Sequence, residues 1–238
     1  MKNSDSSYFI NNPVFLKYKT RMRLAPPFGR EEFLKSVFVN ERIVEIPFAI
    51  ACLSALPKGS KILDLGCTES TFPLQAACLG YRVTGFDFRP YPYTHPSLEF
   101  VQGDIVNLPF PPASFDAVFC ISTIEHIGIG FYADPLSGVD ADHQAAGEAG
   151  KVLKTGGILV LTVPYGAGQA NKHHRIYDQK TLAALLKDFR VQELRYFVNS
   201  RFPEGRANSW IEVGEKDAAV VESGESANGV CLVKAAKP

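Results

Sequence analysis

The feature that most constrains this chain is an alternation of short apolar runs with stretches of helical periodicity. Lys61–Leu65 is an apolar run that stops at Gly66, and Arg82–Phe86 is another that stops at Asp87. Leu98–Val101 and Phe115–Ile121 follow, the latter introduced by Pro111-Pro112, and Gly156-Gly157 turns the chain into Ile158–Val163. Val191–Val198 and Gly229–Lys234 complete the set. Between them lie helical stretches at Phe72–Leu79, at Asp142–Leu153 with Asp142 as N-cap, and at Lys180–Phe189 behind the cap Asp178. Runs that are apolar at successive positions are buried on both faces, which is the mark of strands covered by helices. Strands that alternate with helices pair in parallel through right-handed crossovers.

The pattern predicts an α/β fold: a Rossmann-like, doubly wound, mainly parallel seven-stranded sheet with helices on both faces. Residues 57–238 hold this domain. Residues 1–56 precede it as an N-terminal arm and helical lid. The arm is polar and aromatic to Phe28, and the lid is a helix over Glu31–Ile46 that Pro47 breaks, with a second short helix starting there. Residues 203–228 read as a polar, Gly-rich connection with a short helix near Glu215–Val221.

Charge narrows the partners. The 25 basic side chains balance 25 acidic ones, so the chain lacks the basic excess of a nucleic-acid binder, and a small molecule is the expected partner. The longest apolar runs, Phe48–Leu56 and Ile158–Val163, are too short to span a bilayer, and no membrane partner is expected. The five cysteines form no CxxC and mostly sit in apolar runs, which fits a reducing, cytoplasmic setting. Asp134, Asp140, Asp142 and His143 match no standard ligand spacing, and no metal is expected.

In a doubly wound sheet, ligands bind at the carboxyl ends of the strands near the topological switch point. Chemistry is therefore expected at Gly66–Ser70, Asp87, Asp104, Ser122–His126 and beyond Pro164. Asp64 and Asp87 lie 23 residues apart, with Asp87 at the end of the second strand, where a carboxylate accepts a ribose diol. That spacing suits a dinucleotide or S-adenosylmethionine. A dinucleotide needs Gly-x-Gly-x-x-Gly over its pyrophosphate, but the window Gly66-Cys67-Thr68-Glu69-Ser70-Thr71 keeps only the first glycine and adds Glu69. Like charges about 5 Å apart at an effective dielectric near 20 repel by about 3 kcal/mol. A diphosphate is disfavoured there, whereas a sulfonium and an ammonium are favoured.

These pieces, taken in order, resemble class I S-adenosylmethionine-dependent methyltransferases of the type 11 kind, over roughly Lys61–Lys234. They are Leu63-Asp64-Leu65-Gly66-Cys67, Gly85-Phe86-Asp87, Gly103-Asp104-Ile105 with Leu108-Pro109-Phe110, Ser114-Phe115-Asp116-Ala117-Val118, Ile124-Glu125-His126-Ile127 and Val152-Leu153-Lys154-Thr155-Gly156-Gly157-Ile158-Leu159. The resemblance implies S-adenosylmethionine as cofactor and methyl transfer to a small-molecule acceptor. It places Asp64, Gly66 and Cys67 at the methionine part, and Asp87 and Phe88 at the ribose. Asp104 takes the adenine amino group, Ile105 packs on the ring, and Ser122 and Thr123 line the methyl side. Thr68 and Ser70 stand where the family usually has further glycines, so the loop must sit further out or the site is closed. The segments Ser122–Gly128, Asp134-Pro135 and His174-Arg175-Ile176-Tyr177 resemble a subgroup of sugar and cell-surface glycan methyltransferases, which implies a sugar or glycan hydroxyl as acceptor.

A hydroxyl acceptor needs a base. His126, His174 and Glu125 are the catalytic candidates, with His173 beside them, since imidazole titrates near neutrality. Arg175 beside them can clamp a carboxylate or phosphate. The residues leave a second reading open: Glu125-His126 as a packed pair at a loop–helix junction, and His173–Tyr177 as a solvated loop leading to the Asp178 cap. Two rival functions stay open as well, a non-catalytic binding module on the same fold and an NAD-dependent oxidoreductase. Tyr8, Tyr18, Arg21 and Arg23 of the arm, and Trp210, are candidates for the rim of the pocket.

Overall fold

The computed structural model describes residues 40–130, 140–167, 171, 173–200, 209–224 and 226–238. The arm and most of the expected lid, including Tyr8, Tyr18, Arg21, Arg23 and the first part of Glu31–Ile46, lie outside these residues, as does Asp134. Residues Asn40–Ser200 and Trp210–Pro238 form one compact unit.

The elements are α1 Arg42–Ser54, β1 Lys61–Leu65, α2 Phe72–Cys78, β2 Arg82–Asp87, β3 Leu98–Gln102, β4 Phe115–Ile121 and a 3₁₀ turn at Ile124–His126. They continue with α3 Ala141–Val152, β5 Leu153–Pro164, α4 Gln179–Leu185, β6 Arg190–Ser200, β7 Ser209–Val213, α5 Glu215–Ala219 and β8 Gly229–Ala236. The sheet order is β3-β2-β1-β4-β5-β8-β6-β7. Strands β1 to β5 pair in parallel, and β8 runs antiparallel to both β5 and β6. The chain steps outward from β1 through β2 to β3, then returns to the other side of β1 as β4. The switch point therefore lies between the carboxyl ends of β1 and β4, at Gly66 and Ser122.

Alternate residues of the central strands feed two cores, which is why these strands read as continuous apolar runs. Leu63, Leu65, Val118 and Cys120 pack with α3 and α4, through Ala145, Ala149, Leu182 and Leu185. Ile62, Ala117, Phe119 and Ile121 pack with α1 and α2, through Phe48, Leu53, Phe72 and Ala76.

Three local expectations are corrected. The sheet has eight strands: β7 lies inside the stretch read as a polar connection. Its β-formers Trp210, Ile211 and Val213 are few and flanked by polar residues, and it is held by the cross-strand pair of Arg195 Nη2 with Glu212 Oε2 at 2.6 Å. The helix does not break at Pro47, which sits inside α1. The carbonyl one turn back, which a proline cannot bond, belongs to Ile43, a residue more than half exposed. The N-cap of α3 is Asp140, and Asp142 lies one residue inside the helix and is buried. Asp178 does cap α4, in a capping box with Thr181. Among the described residues no helix is long and apolar enough to cross a membrane, and no group of three or more His, Cys, Asp or Glu is arranged to hold a metal ion.

Candidate active site

The carboxyl ends of β1, β2 and β4 bring most of the expected residues together. Asp64 is 2% exposed, paired in register with Gly85 of β2 and Phe119 of β4. Burial holds its carboxyl well above the usual range, against the pull of the Arg42 guanidinium, and nearby Asp87 adds to the rise. Its Oδ2 is buried without a hydrogen-bond partner among the described residues. A buried carboxylate oxygen without a donor is costly. A cation or a hydrogen-bond donor brought beside it would offset that cost.

Next to it, Gly66 has φ +78 and donates its N–H to Phe86 O at 2.8 Å. A Cβ at this position would overlap the Thr123 side chain. Only glycine satisfies both the left-handed backbone and the close approach of the two strand ends. Cys67 is fully buried, with Sγ 3.0 Å from where a Cβ on Gly85 would stand. Burial pushes its thiol up, so it packs rather than reacts.

The loop that lacks the later glycines is laced to the exit of β2. The Thr68 N–H donates to Asp87 Oδ2 at 3.0 Å, and its hydroxyl to the Arg89 carbonyl at 3.0 Å. Arg89 donates its backbone N–H to Asp87 Oδ1 at 2.9 Å, and its Nη1 to Glu69 Oε1 at 2.6 Å. Its guanidinium lies over the Phe88 ring, 5.5 Å from the centroid. Ser70 accepts the Phe72 N–H at 3.0 Å, and Tyr91 donates to the Ser70 carbonyl at 3.0 Å. Thr68 and Ser70 thus fasten the loop by hydrogen bonds. A carboxylate offers about four acceptor positions, so Asp87 keeps capacity for a diol beside these backbone donors.

Asp104 accepts the Val106 N–H at 3.2 Å, so its side chain caps the turn after β3. Ile105 packs in the core with Leu65 and Phe86. Thr123 donates to Ile121 O at 3.1 Å. Ser122, at φ 43, donates its hydroxyl to Glu45 Oε1 at 2.6 Å, and its N–H to Thr162 Oγ1 at 2.9 Å.

The second half of the site is built on loops. His126 Nδ1 lies 2.6 Å from the His173 carbonyl. A carbonyl only accepts, so Nδ1 carries a proton, and in the neutral form of the ring the lone pair is on Nε2. That Nε2 is 3.7 Å from Glu125 Oε1. Burial pushes the Glu125 carboxyl up to about 8. His174 is 5% exposed, its ring edge-on to His126 with centroids 6.2 Å apart. Burial first, then the neighbouring His126 and His173, depress it to about 4. Arg175 is a staple between loops. Its Nη1 donates to Ile127 O at 2.6 Å and Glu125 O at 3.3 Å, and its Nε is 3.7 Å from Asp142 Oδ2, which also accepts the Tyr177 hydroxyl at 2.8 Å. Trp210 packs against the core that α1 and α2 share.

Two residues escaped the sequence reading. Arg42 of α1 donates Nη1 to Ile121 O at 3.0 Å, and Glu45 of α1 is fully buried, its carboxyl pushed up to about 7 by burial. The signal was present: Glu45 is an acid inside the apolar run Ile43–Ile50.

The strand order and connections are those of the class I methyltransferase fold. Residues 63–161 match the family model described as a methyltransferase domain. Over 113 residues the chain is 34% identical to a sterol 24-C-methyltransferase of Gibberella zeae, covering 42% of this chain and 27% of that one. It is 30% identical over 134 residues to a tRNA (carboxymethyluridine(34)-5-O)-methyltransferase of Arabidopsis thaliana, covering 53% and 29%. The match thus spans less than a third of either relative. Among solved structures, the 1,6-didemethyltoxoflavin-N1-methyltransferase of Burkholderia thailandensis superposes with a TM-score of 0.59 at 15% identity, over 100% of this chain and 92% of that one. That structure holds 1,6-didemethyltoxoflavin and S-adenosylhomocysteine. By their names these three methylate carbon, oxygen and nitrogen.

Proposed function

We propose that this chain is a methyltransferase that uses S-adenosylmethionine and acts on the hydroxyl of a small molecule, of the sugar or glycan kind. The carrying observation is the switch point itself. An unpartnered buried Asp64 oxygen, a glycine no other residue can replace, and Asp87 at the next strand end form a cradle with acids and no phosphate-binding turn. Asp64, with Gly66 and the backbone of Cys67, takes the ammonium end, and the nearby Arg42 guanidinium complements the carboxylate of the same amino-acid group. Asp87, flanked by Phe88, takes the ribose diol. Asp104 and Ile105 shape the turn against which the base lies, and Thr123 closes the floor over Gly66.

When bound, S-adenosylmethionine supplies a methyl carbon activated by its sulfonium. The protein's own work is alignment, exclusion of water and removal of one proton from the acceptor. His126 is the base: the His173 carbonyl fixes its tautomer and leaves Nε2 to take the proton. Glu125, buried 3.7 Å from Nε2, carries negative charge when ionised and stabilises the imidazolium that forms. His174, held neutral and weakly basic, orients His126 by its edge-on ring rather than taking the proton itself.

The test is a calorimetric titration with S-adenosylmethionine and NAD side by side, followed by transfer of a labelled methyl group onto a panel of sugars, phenols, amines and tRNA. The proposal expects binding of S-adenosylmethionine alone and label on sugar hydroxyls. Label on tRNA or on amines would overturn the acceptor assignment, and NAD binding would overturn the cofactor.

A further inference from the structure

The chain after β4 enters the site through a strained residue. Ser122 has φ 43, in the region L side chains avoid, and it is not glycine. Such a conformation persists only where the surroundings hold it. Here Glu45 Oε1 accepts the Ser122 hydroxyl at 2.6 Å, Thr162 Oγ1 accepts its N–H at 2.9 Å, and Arg42 Nη1 holds the preceding Ile121 carbonyl at 3.0 Å. The next residue, Thr123, lies where a side chain on Gly66 would have to go. The hydrogen-bonded path therefore runs from α1, ahead of the matched residues 63–161, to the floor of the cradle.

Glu45 is an odd choice for packing. It is fully buried, and its Oε2 has no hydrogen-bond partner among the described residues, with Arg42 Nε 3.8 Å away. An apolar side chain of similar volume generally serves stability as well as a buried carboxylate or better. Its geometry, aimed at the one strained non-glycine turn of the site, accounts for it.

We infer that Glu45 is a positioning residue of the cofactor site: through the Ser122 hydroxyl, its carboxylate holds the chain after β4 in the left-handed turn that lays Thr123 against Gly66. This rests on the reading that the β1 and β4 ends hold S-adenosylmethionine. Glu45→Met fills the same space without an acceptor. Glu45→Gln keeps an acceptor. Ser122→Gly, combined with Glu45→Met, lets the backbone adopt the turn unaided.

The experiment pairs S-adenosylmethionine titration with amide hydrogen exchange on the ligand-free proteins. Glu45→Met weakens binding about tenfold or more, the usual effect of losing a hydrogen bond to a charged group, and speeds exchange across residues 64–70 and 121–126. Glu45→Gln retains most of the affinity, and the double variant regains most of what Glu45→Met loses. If Glu45→Met alters thermal stability but neither affinity nor local exchange, or if the added glycine rescues nothing, the inference is overturned. If the unaltered protein does not bind S-adenosylmethionine, the proposed function fails instead, and the exchange pattern still decides the role of Glu45.

Discussion

The two halves of the site are built in different ways. The proposed cofactor half rests on strand ends: Asp64, Gly66, Asp87 and Ser122 are placed by β1, β2 and β4, whose registers are fixed by parallel pairing. The proposed acceptor half rests on connections: His126 hangs on the His173 carbonyl, and Arg175 staples the loop at 173–177 to the Glu125–Ile127 turn. Strand ends carry few degrees of freedom, so a sheet can present the same cradle over many acceptors. Loops carry many, and they are where the acceptor is chosen.

The sharpest way to separate the halves is His126→Ala. Loss of a general base costs about 10²–10⁴-fold in turnover, while S-adenosylmethionine affinity stays close to that of the unaltered protein. Single-turnover rates beside titration decide this, and equal losses in both would mean the halves are not separable. Gly66→Ala strikes the other half. A left-handed backbone and the overlap with Thr123 together cost about 2–4 kcal/mol, to be read as a fall in Tm with loss of cofactor binding.

A pH series probes both halves at once. Glu45 and Glu125 have folded pKa values raised by burial to about 7 and about 8. Acids raised in this way bind more protons folded than unfolded, so their contribution is complete below the unfolded value of 4.5 and is lost as pH rises through the folded values. His174, depressed to about 4, acts in the opposite sense, but only below its unfolded value of 6.5. Between pH 6.5 and 8 the ligand-free protein therefore loses about 1–2 kcal/mol, and Tm falls. Glu125→Gln flattens the slope, and a flat profile in the unaltered protein would contradict the burial of these acids. The smallest effect belongs to the loop. Thr68→Gly removes the bond to the Arg89 carbonyl and loosens the chain, costing about 1 kcal/mol. Tighter cofactor binding in that variant would mean that Thr68 obstructs the site rather than fastening it.

The contrast also explains what the sequence revealed. Apolar runs ending in Gly66 and Asp87 encode both a strand and the place where a ligand is expected, because a buried parallel strand leaves only its ends for chemistry. The eighth strand stayed hidden because an edge strand buries too little to need a long apolar run, and Trp210, Ile211 and Val213 sit between polar residues. Pro47 misled because one missing hydrogen bond on a wet helix face is cheap to satisfy. Glu45 and Arg42 were passed over because their partners, Ser122 and Ile121, are more than 70 positions away, and no local period announces such a contact. Thr68 and Ser70 looked like missing glycines, since their roles depend on Asp87, Arg89 and Tyr91 from the next strand's exit.

In the proposed function Asp87 and its neighbours at the switch point hold S-adenosylmethionine. Calorimetric titration of the unaltered protein and of Asp87→Asn and Asp87→Ala tests it most directly. A charge-assisted hydrogen bond is worth about 1.5–3 kcal/mol, so the account predicts binding to the unaltered protein and roughly ten- to a hundredfold weaker binding to Asp87→Ala, with Asp87→Asn between them. Equal affinity in all three proteins, or no binding to the first, would contradict it.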